Sequence, residues 1–429
     1  MEVLVLIISF IFLLVIGVPI AYSIGLSAMF TLMVSIPQVA ALTTVAQRMA
    51  TGLDSFSLIA IPFFILAGEL MNRGGIARRL IDFAKALVGM LPGGLAYVNI
   101  MACMLFGAIS GSAIAATSAI GGIMNKRMEK EGYDKAFSAA VNITSSTTGL
   151  IIPPSNILIV FSLASGSASI AALFLAGYLP GILVGFFLMV AAGFYAYRNK
   201  YPVGERMKIS TTFRYFVYAL PSLFLLIVVI GGIIAGIFTA TEASAIAVLY
   251  AFILSVVIYR EIKLKELTEI LLNAAKTTSI VLLLIGTSMA MSWAMSIENI
   301  PRDVSLLILS VSDNKIIVLL IINLILLAVG VFMDITPAVL IFTPIFLPVV
   351  TRLGVDPVHF GIIMVLNLCI GLCTPPVGSV LFVGCSVAKI GISEVIRPLL
   401  PLFAVMILAL LMVTFIPPIT LWLPKIFGF

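Results

Sequence analysis

The sequence predicts an all-α polytopic membrane protein built from two repeats of opposite orientation. Three observations lead to this fold class: the composition, a series of apolar segments and an internal repeat at a fixed offset. Of the 429 residues, 62% are hydrophobic and only 10% are charged, whereas soluble domains carry about 25% charged residues. This composition excludes a cytosolic enzyme and a disordered protein, because too few polar residues are present to cover a soluble surface.

Apolar segments of about 20 residues, the length that crosses a bilayer, recur along the whole chain. The first segment lacks the basic residues and the cleavage site of a signal peptide, so we expect it to be retained as a span. Basic loops are expected on the cytoplasmic side, which places both termini in the periplasm. The ten predicted spans are residues 3–18, 19–36, 54–72, 137–165, 171–197, 215–237, 240–259, 277–298, 358–389 and 398–416.

An offset of 222 residues brings the two halves of the chain into register. The segment Gly149-Leu-Ile-Ile-Pro-Pro-Ser-Asn156 falls on Gly371-Leu-Cys-Thr-Pro-Pro-Val-Gly378. The connector 125–135 has four basic residues, whereas its counterpart, residues 350–357, has one. Because cytoplasmic loops are rich in Lys and Arg, the two connectors should lie on opposite sides of the membrane. The halves are therefore predicted to be inverted, an arrangement that recurs in secondary transporters.

Two segments do not fit as ordinary spans, because the charge pattern requires each to leave and return on the same side. They are residues 94–124 and 315–350, and each has a small, polar middle. These middles are Gly107-Ala-Ile-Ser-Gly-Ser112 and Gly330-Val-Phe-Met-Asp-Ile-Thr-Pro337. We predict two re-entrant hairpins, one from each face of the membrane.

Segment 76–91 mixes basic and apolar residues in the way that is typical of an amphipathic helix on a membrane surface. Its counterpart in the second repeat is segment 301–314, which is predicted to lie on the opposite surface.

Proline pairs interrupt two predicted spans near their middles. Pro153-Pro154 and Pro375-Pro376 each remove two backbone donors. Non-helical backbone at membrane depth is tolerated only where protein buries it or where it lines a cavity. Broken helices offer half-helix N-termini to anions and free carbonyls to cations. Each break could instead be a kink packed by neighbouring helices, but two matched breaks beside polar hairpins predict a transport site.

Three carboxylates within apolar segments are candidates for function. Asp334 lies at the second hairpin tip, at the repeat position of Ser112, where it could hold a cation, govern hairpin closure or only cap the following helix. Glu69 and Glu242 lie nearer to span ends, where structural capping or interhelical bonding is as good an interpretation as function. No Arg or Lys lies in the hairpin tips or breaks.

Several classes of protein are disfavoured by the sequence. The chain has no phosphate-binding GxxxxGK[ST] loop, so it should not hydrolyse ATP itself. Its four cysteines lack CxxC spacing and are expected to be small buried side chains. The single histidine, His359, is expected in a loop, so a membrane-embedded enzyme would lack a histidine base or metal cluster. A channel would need an open pore, not two closable hairpins.

Four motifs together resemble the large membrane subunit of the tripartite ATP-independent periplasmic (TRAP) transporters. The resemblance covers essentially the whole chain. The motifs are the run that begins Gly107-Ala-Ile-Ser-Gly-Ser112, then Ser145-Ser-Thr-Thr-Gly-Leu-Ile-Ile-Pro-Pro-Ser155, Gly236-Ile-Phe-Thr-Ala-Thr-Glu-Ala243 and Gly371-Leu-Cys-Thr-Pro-Pro-Val-Gly378.

The resemblance implies an elevator-type transporter of the ion-transporter superfamily in the bacterial inner membrane, driven by a sodium gradient. It also implies two partners, a small four-span membrane subunit and a periplasmic solute-binding protein. The extra four-span segment of fused family members is not present, so the chain resembles the unfused form. No cofactor other than coupling sodium ions is expected.

The family's domain organisation can be carried onto this sequence. The implied parts are scaffold spans 1–75 and 215–298, arm helices 76–91 and 301–314, transport-domain halves 94–165 and 315–389, a linking span 171–197, and a C-terminal span with periplasmic tail, 398–429.

The favoured function is binding-protein-dependent import of an organic anion, such as a sialic acid or a C4-dicarboxylate. The alternative is a stand-alone sodium- or proton-coupled carboxylate carrier of the same superfamily. The residues expected to contact the solute lie at the hairpin tips and breaks: Ser110, Gly111, Ser112, Pro153, Pro154, Ser155, Asn156, Thr336, Pro375, Pro376 and Gly378.

Sodium is a hard cation that prefers carbonyl, hydroxyl and carboxylate oxygens, and such oxygens predict two sodium sites related by the repeat. The first set is Ser110, Ser112, Asn142, Ser145, Ser146, Thr148 and Gly149. The second set is Gly330, Met333, Asp334, Thr336, Asn367, Gly371 and Thr374.

Overall fold

The computed structural model of the protein describes residues 2–204, 208–375 and 378–429. Within these ranges the chain is helical and contains no β-strand. The helices of the first half are α1 (Glu2–Val15), α2 (Ile20–Ser35), α3 (Gln38–Leu53), α4 (Ala60–Arg73), α5 (Ile76–Val88), α6 (Gly94–Ser110), α7 (Ala113–Lys130), α8 (Lys135–Ser146), α9 (Thr148–Ile151), α10 (Asn156–Ser165) and α11 (Ile170–Arg198). Those of the second half are α12 (Ile209–Ile234), α13 (Ala240–Phe252), α14 (Leu267–Ile297), α15 (Ile300–Val311), α16 (Lys315–Phe332), α17 (Ile335–Arg352), α18 (Pro357–Gly371), α19 (Ser379–Ala388), α20 (Ile392–Phe415) and α21 (Pro418–Ile426).

Many of these helices match the dimensions of a bilayer. In the described part of the chain, eight helices are long and apolar enough to cross a membrane, or nine if the pair that bends by 48° at the first proline break counts as one span. The helices at the predicted spans 3–18 and 19–36 are shorter, with 14 and 16 residues. The prediction of an all-α, multi-pass membrane protein is confirmed.

The order of the elements recurs between the two halves. Helices α7 and α17 begin at Ala113 and Ile335, and helices α8 and α18 begin at Lys135 and Pro357, so both pairs of starts are separated by the offset found in the sequence. The chain turns back on itself between α6 and α7 and again between α16 and α17, as expected of the two hairpins. The opposite orientation of the halves and the sidedness of the loops remain predictions.

Helix α3 was not expected from the sequence. Its residues are more polar than those of the spans, and only Ala41 and Gly52 are buried. The helix is therefore not recognisable in the sequence as an apolar segment. One face of α3 packs on α14, where the Arg48 guanidinium lies 3.4 Å from the centre of the Trp293 ring.

Helix α21 lies in the segment predicted to be the C-terminal tail, and it packs against His359, which the sequence placed in a loop. The histidine does not lie in a loop but in the first turn of α18, where it is buried. Its Nδ1 is 2.7 Å from Thr420 Oγ1 of α21, and its Nε2 is 3.3 Å from Thr414 O. Asp356 is the N-cap of α18. This local capping residue indicates that the helix begins before His359.

The predicted amphipathic segments form helices α5 and α15. In α5, Leu80 and Ile81 are buried, while the Arg79 guanidinium stacks 3.6 Å from the centre of the Tyr259 ring and lies 3.6 Å from Glu261. These polar contacts attach α5 to the segment that follows α13. The position of either helix on a membrane surface remains a prediction.

The two broken helices pack against each other at the centre of the molecule. The Cys369 thiol of α18 lies 3.7 Å from Thr147 O. The Cys373 thiol, just after the end of α18, lies 3.5 Å from Ile143 O. All four cysteines are free and buried, as the sequence predicted. The polar stretches that precede both breaks are therefore enclosed by protein.

Candidate functional site

The first hairpin turns at Ser110, Gly111 and Ser112. Gly111 has a φ of +61°, a left-handed conformation that favours glycine. Ser112 begins α7 as its N-cap, because its Oγ accepts a hydrogen bond from Ala115 N at 3.3 Å. A Cβ on Gly111 would lie only 3.0 Å from Pro154 O. The first tip is therefore packed directly on the first proline break.

The second hairpin turns at Met333 and Asp334. Asp334 stands at the N-cap position of α17, but its side chain makes no capping hydrogen bond. Its Oδ1 instead accepts a hydrogen bond from Ser379 Oγ, at 3.4 Å, at the start of α19. The carboxylate is thus directed from the hairpin tip towards the second half of the broken helix, and helix capping does not explain it.

Pairs of glycines bring each hairpin against its break. A Cβ on Gly107 would lie 2.3 Å from the Cα of Gly149, and a Cβ on Gly371 would lie 2.6 Å from the Cα of Gly330. Side chains do not fit at such distances, so only glycine permits the approach. In both halves the structure brings together the hairpin and break segments that the sequence assigned to one sodium site.

The hydroxyls before the first break are fully buried. Ser145, Ser146 and Thr148 each donate a hydrogen bond of 2.6 Å to a backbone carbonyl of the preceding turn. A hydroxyl that donates still has lone pairs that can accept, so these oxygens remain suitable for a cation. Asn142 is already engaged, because its Nδ2 donates to Thr117 O at 2.9 Å and its Oδ1 accepts from the Cys103 thiol.

The polar groups before the second break are arranged differently. Asn367 Nδ2 donates to Asn323 O and Asn323 Oδ1 at 2.9 and 2.8 Å. Its own Oδ1 is buried and has no hydrogen-bond partner in the described part of the protein. Thr374 Oγ1 donates to Ile370 O at 2.8 Å. The orphan amide oxygen of Asn367 could accept a cation.

A cavity of about 180 Å³ lies where the two hairpin tips meet the other helices. One wall is contributed by α4 and α14. The polar and small residues in its lining are Gly68, Glu69, Ser110, Gly111, Ser112, Asn156, Thr277, Asp334, Thr336 and Ser379.

Five residues expected at the solute site do not line this cavity. Pro153, Pro154, Ser155 and Gly378 are buried by packing, and Pro375 is also outside the lining. The breaks contribute the flanking polar residues Asn156 and Ser379 instead, each at the start of the next helix, whereas Pro153 and Pro154 are buried in the protein. The prediction for Pro376 falls outside the described residues.

The charges around the cavity are all negative. Among the described lining residues, Glu69 and Asp334 are acidic and none is basic. Glu242, by contrast, forms a capping box with Thr239, with hydrogen bonds of 2.8 and 3.2 Å, so its role is structural.

Sequence reasoning did not single out Thr277, Ser379 or Asn323. Ser379 could have been found from the repeat. It directly follows Gly378, the repeat counterpart of Asn156, just as Ile157 follows Asn156. Thr277 lies in a helix without a break or motif, and Asn323 lies in a hairpin helix outside the tip motif, so only the tertiary fold identifies them.

Comparison with known proteins agrees with this geometry. A family model described as "Tripartite ATP-independent periplasmic transporter, DctM component" matches residues 7–419. An uncharacterized protein, YgiK of Salmonella typhimurium, is 58% identical over 98% of this chain and 96% of its own length. The C4-dicarboxylate TRAP transporter large permease protein DctM of Rhodobacter capsulatus is 39% identical over 96% of both chains.

A fused relative is also similar. The isethionate TRAP transporter permease protein DctMQ of Oleidesulfovibrio alaskensis is 42% identical over 95% of this chain but only 64% of its own length.

Among solved structures, the YdaH transporter of Alcanivorax borkumensis has a TM-score of 0.64 to this chain at 11% identity and covers 90% of this chain and 89% of its own. That likeness shows a shared fold. From the match of the family model and these identities, the chain belongs to the DctM component family of the tripartite ATP-independent periplasmic transporters, whose members are membrane permeases.

Proposed function

We propose that this protein is the large permease subunit of a sodium-coupled, binding-protein-dependent importer of organic anions in the bacterial inner membrane. The observation that carries the proposal is the cavity between the two hairpin tips, with two carboxylates and no basic residue among its described lining residues. An anion cannot bind in such a cavity unless cations neutralise it. Binding of the anion would therefore require a co-bound cation, and a cation gradient could then drive uptake.

The relatives and the cavity both support an organic anion as the solute. Two relatives are named for C4-dicarboxylates and isethionate, which are small organic anions. The cavity offers amide and hydroxyl groups, such as Asn156, Thr336 and Ser379, that can bind carboxylate or sulfonate oxygens. A C4-dicarboxylate or a sialic acid remains the working choice for the solute.

Sodium is supported as the coupling ion by the type of oxygens that the structure brings together. Buried hydroxyls of α8 and α9 and backbone carbonyls at the breaks are hard ligands of the kind that sodium uses. The half-helix N-termini that begin near Ser112, Asn156, Thr336 and Ser379 add partial positive charge for the anion. Binding of sodium and of the anion must then stabilise each other reciprocally.

An elevator movement is supported by the contacts between the two groups of helices. The hairpins and broken helices form one group, and α4 and α14 face the hairpin tips from the other. A Cβ on Gly68 of α4 would lie 3.0 Å from Ser110 O, so the two groups approach closely there. Small residues at such a contact would let the hairpin group slide past α4.

Two partners complete the proposal, a small membrane subunit and a periplasmic binding protein. This chain matches 64% of the length of the fused relative. The additional part of that relative supports a separate small subunit as the partner of this chain. The test is uptake into proteoliposomes that contain this chain alone, with the small subunit, or with both partners. Uptake only with both partners supports the proposal, whereas uptake by the chain alone would show a stand-alone carrier.

The solute itself can be identified before reconstitution. A thermal-shift screen of the cognate binding protein against carboxylates and sulfonates should give one class of stabilising anion. Stabilisation only by neutral or cationic compounds would contradict the proposed solute class.

A further inference from the structure

Glu69 holds a position that neither capping nor ion pairing explains. It lies on α4, is half-buried, and lines the same cavity as Asp334 of the second hairpin. Its neighbour Gly68 approaches Ser110 O of the first hairpin tip. The Glu69 carboxylate is therefore carried by the helices that face the hairpins and not by the hairpins themselves.

Arg73, the basic residue closest to Glu69 along α4, forms its ion pair with a different carboxylate. Arg73 lies one turn further along α4, the spacing at which helix side chains pair. Its Nη2 instead lies 2.7 Å from Glu269 Oε1 of α14. Within the described part of the chain, Glu69 makes no hydrogen bond or ion pair of its own, in contrast to the capping carboxylate of Glu242.

We propose that Glu69 sets the charge of the empty cavity from the α4 side, so that the coupling cation binds before the solute anion. This inference rests on the proposed sodium-coupled function and adds a residue to it. A fixed carboxylate across the cavity attracts a cation and repels an anion by Coulomb interaction, without touching either. It thereby increases the affinity for sodium and decreases the affinity for an anion in the absence of sodium.

Glu69 and Asp334 then have different parts in the same process. Asp334, hydrogen-bonded to Ser379 at the second break, is a candidate ligand of the cation. Glu69 acts through space as a positioning residue. Because its effect is purely electrostatic, it should depend on charge and distance, and a carboxylate added to the same wall should act in the same direction.

The test measures sodium binding by the purified complex of this chain and its small subunit. Sodium chloride is titrated against choline chloride at constant ionic strength, and the midpoint of thermal stabilisation gives the apparent sodium affinity. Glu69→Gln, which keeps size and polarity, should raise the midpoint about three- to tenfold, the range expected for losing one partly screened charge across a cavity. Glu69→Asp should stay within about twofold of wild type, because the charge is kept.

Two further variants separate charge from structure. Thr277 lines the same cavity from α14, so Thr277→Asp should lower the sodium midpoint, opposite to Glu69→Gln. Glu298→Gln removes a carboxylate that accepts a hydrogen bond from Ser35 and is not in the cavity lining, and it should leave the midpoint unchanged.

Four outcomes decide the matter. Opposite shifts in Glu69→Gln and Thr277→Asp would establish the inference. A Glu69→Gln midpoint equal to wild type would overturn it, and so would an unchanged midpoint in Thr277→Asp, which serves as the test if Glu69→Gln does not fold. A wild-type complex that sodium does not stabilise would instead overturn the proposed sodium coupling itself.

Discussion

The two hairpin–break units share a backbone plan and differ in charge. In both, a hairpin turns at the same repeat position and touches its break through a glycine pair. In the first unit, the Ser112 hydroxyl caps the following helix. In the second, Asp334 occupies the corresponding place, makes no cap, and bonds across the break to Ser379.

The polar groups behind the tips differ as well. The first unit encloses a continuous run of hydroxyls, which are satisfied by the preceding turn of the same helix. The second has fewer hydroxyls but leaves the Asn367 amide oxygen buried without a partner among the described residues. The comparison teaches that two units with one backbone plan can differ in charge, so that only the second of the two proposed cation sites carries a carboxylate.

The largest effects should come from the glycine contacts on which both units depend. Gly149→Ala and Gly371→Ala would place a Cβ within 2.4 and 2.6 Å of backbone atoms of the facing hairpin, a clash that cannot be relieved by a rotamer change. We expect uptake below about 10% of wild type and a loss of about 1–3 kcal/mol or more in stability. Uptake in proteoliposomes and thermal unfolding of the purified complex measure the two effects.

The matched control for these variants is Gly122→Ala in α7, where an added Cβ would have no neighbour within 4 Å. It should transport at the wild-type rate. If Gly149→Ala and Gly371→Ala also transported normally, the close approach of hairpin and break would not be needed for function.

The charge of Asp334 is the most direct difference between the two hairpin–break units. Asp334→Ala should nearly abolish uptake and raise the sodium requirement by about tenfold or more, since a charged ligand of the cation is lost. Asp334→Asn, which keeps an oxygen, should be milder. Ser112→Ala at the equivalent position should cost about 1 kcal/mol of stability through the lost cap.

Sodium titrations of initial uptake rates provide the measurement, with assembly of the small subunit as the control for folding. A full-rate Asp334→Ala transporter with unchanged sodium dependence would mean that the acidic tip has no part in coupling.

The asparagines that precede the two breaks, Asn142 and Asn367, should behave differently because their hydrogen bonds differ. Each bridges its broken helix to a hairpin helix, so Asn142→Ala and Asn367→Ala should each cost about 1–3 kcal/mol of stability. Only Asn367→Ala should also weaken apparent sodium affinity, because its Oδ1 is free whereas Asn142 Oδ1 accepts from Cys103. Equal sodium shifts in the two variants would show that the free oxygen is not a cation ligand.

The smallest effect is expected at Glu242, the other carboxylate of the second half that the sequence singled out as a candidate. Glu242→Ala removes a capping box at the start of α13 and should cost about 1 kcal/mol of stability. Uptake per folded transporter should not change, because Glu242 is not in the cavity lining. Rates normalised to purified complex test this expectation, and a loss of sodium coupling would contradict the capping role.

The hairpins and breaks could be predicted because they leave local signals in the sequence. Glycine and serine at the tips and proline pairs within apolar spans mark backbone that is not helical, and the offset of 222 residues connects one half with the other. Helix α3 left no such signal, since it is neither apolar enough to cross a membrane nor bounded by a distinctive motif.

The composition of the cavity wall could not be predicted from local patterns. Glu69 and Thr277 come from helices that are far from the hairpins in sequence, and their place opposite the tips is set by packing. For the same reason the sequence assigned the prolines to the solute site, although packing buries Pro153 and Pro154 and leaves the half-buried Asn156 in the cavity lining. A break in a helix shows where a site is, but the fold decides which side chains face it.

The most direct test of the central claim compares two driving gradients across proteoliposomes that contain the complete transporter. The first condition imposes an inward sodium gradient at equal pH, and the second imposes a pH gradient in choline buffer without sodium. The account predicts uptake of the anion selected by the binding protein in the first condition only, with loss of uptake in Asp334→Ala. Uptake driven by the pH gradient in the absence of sodium would contradict sodium coupling.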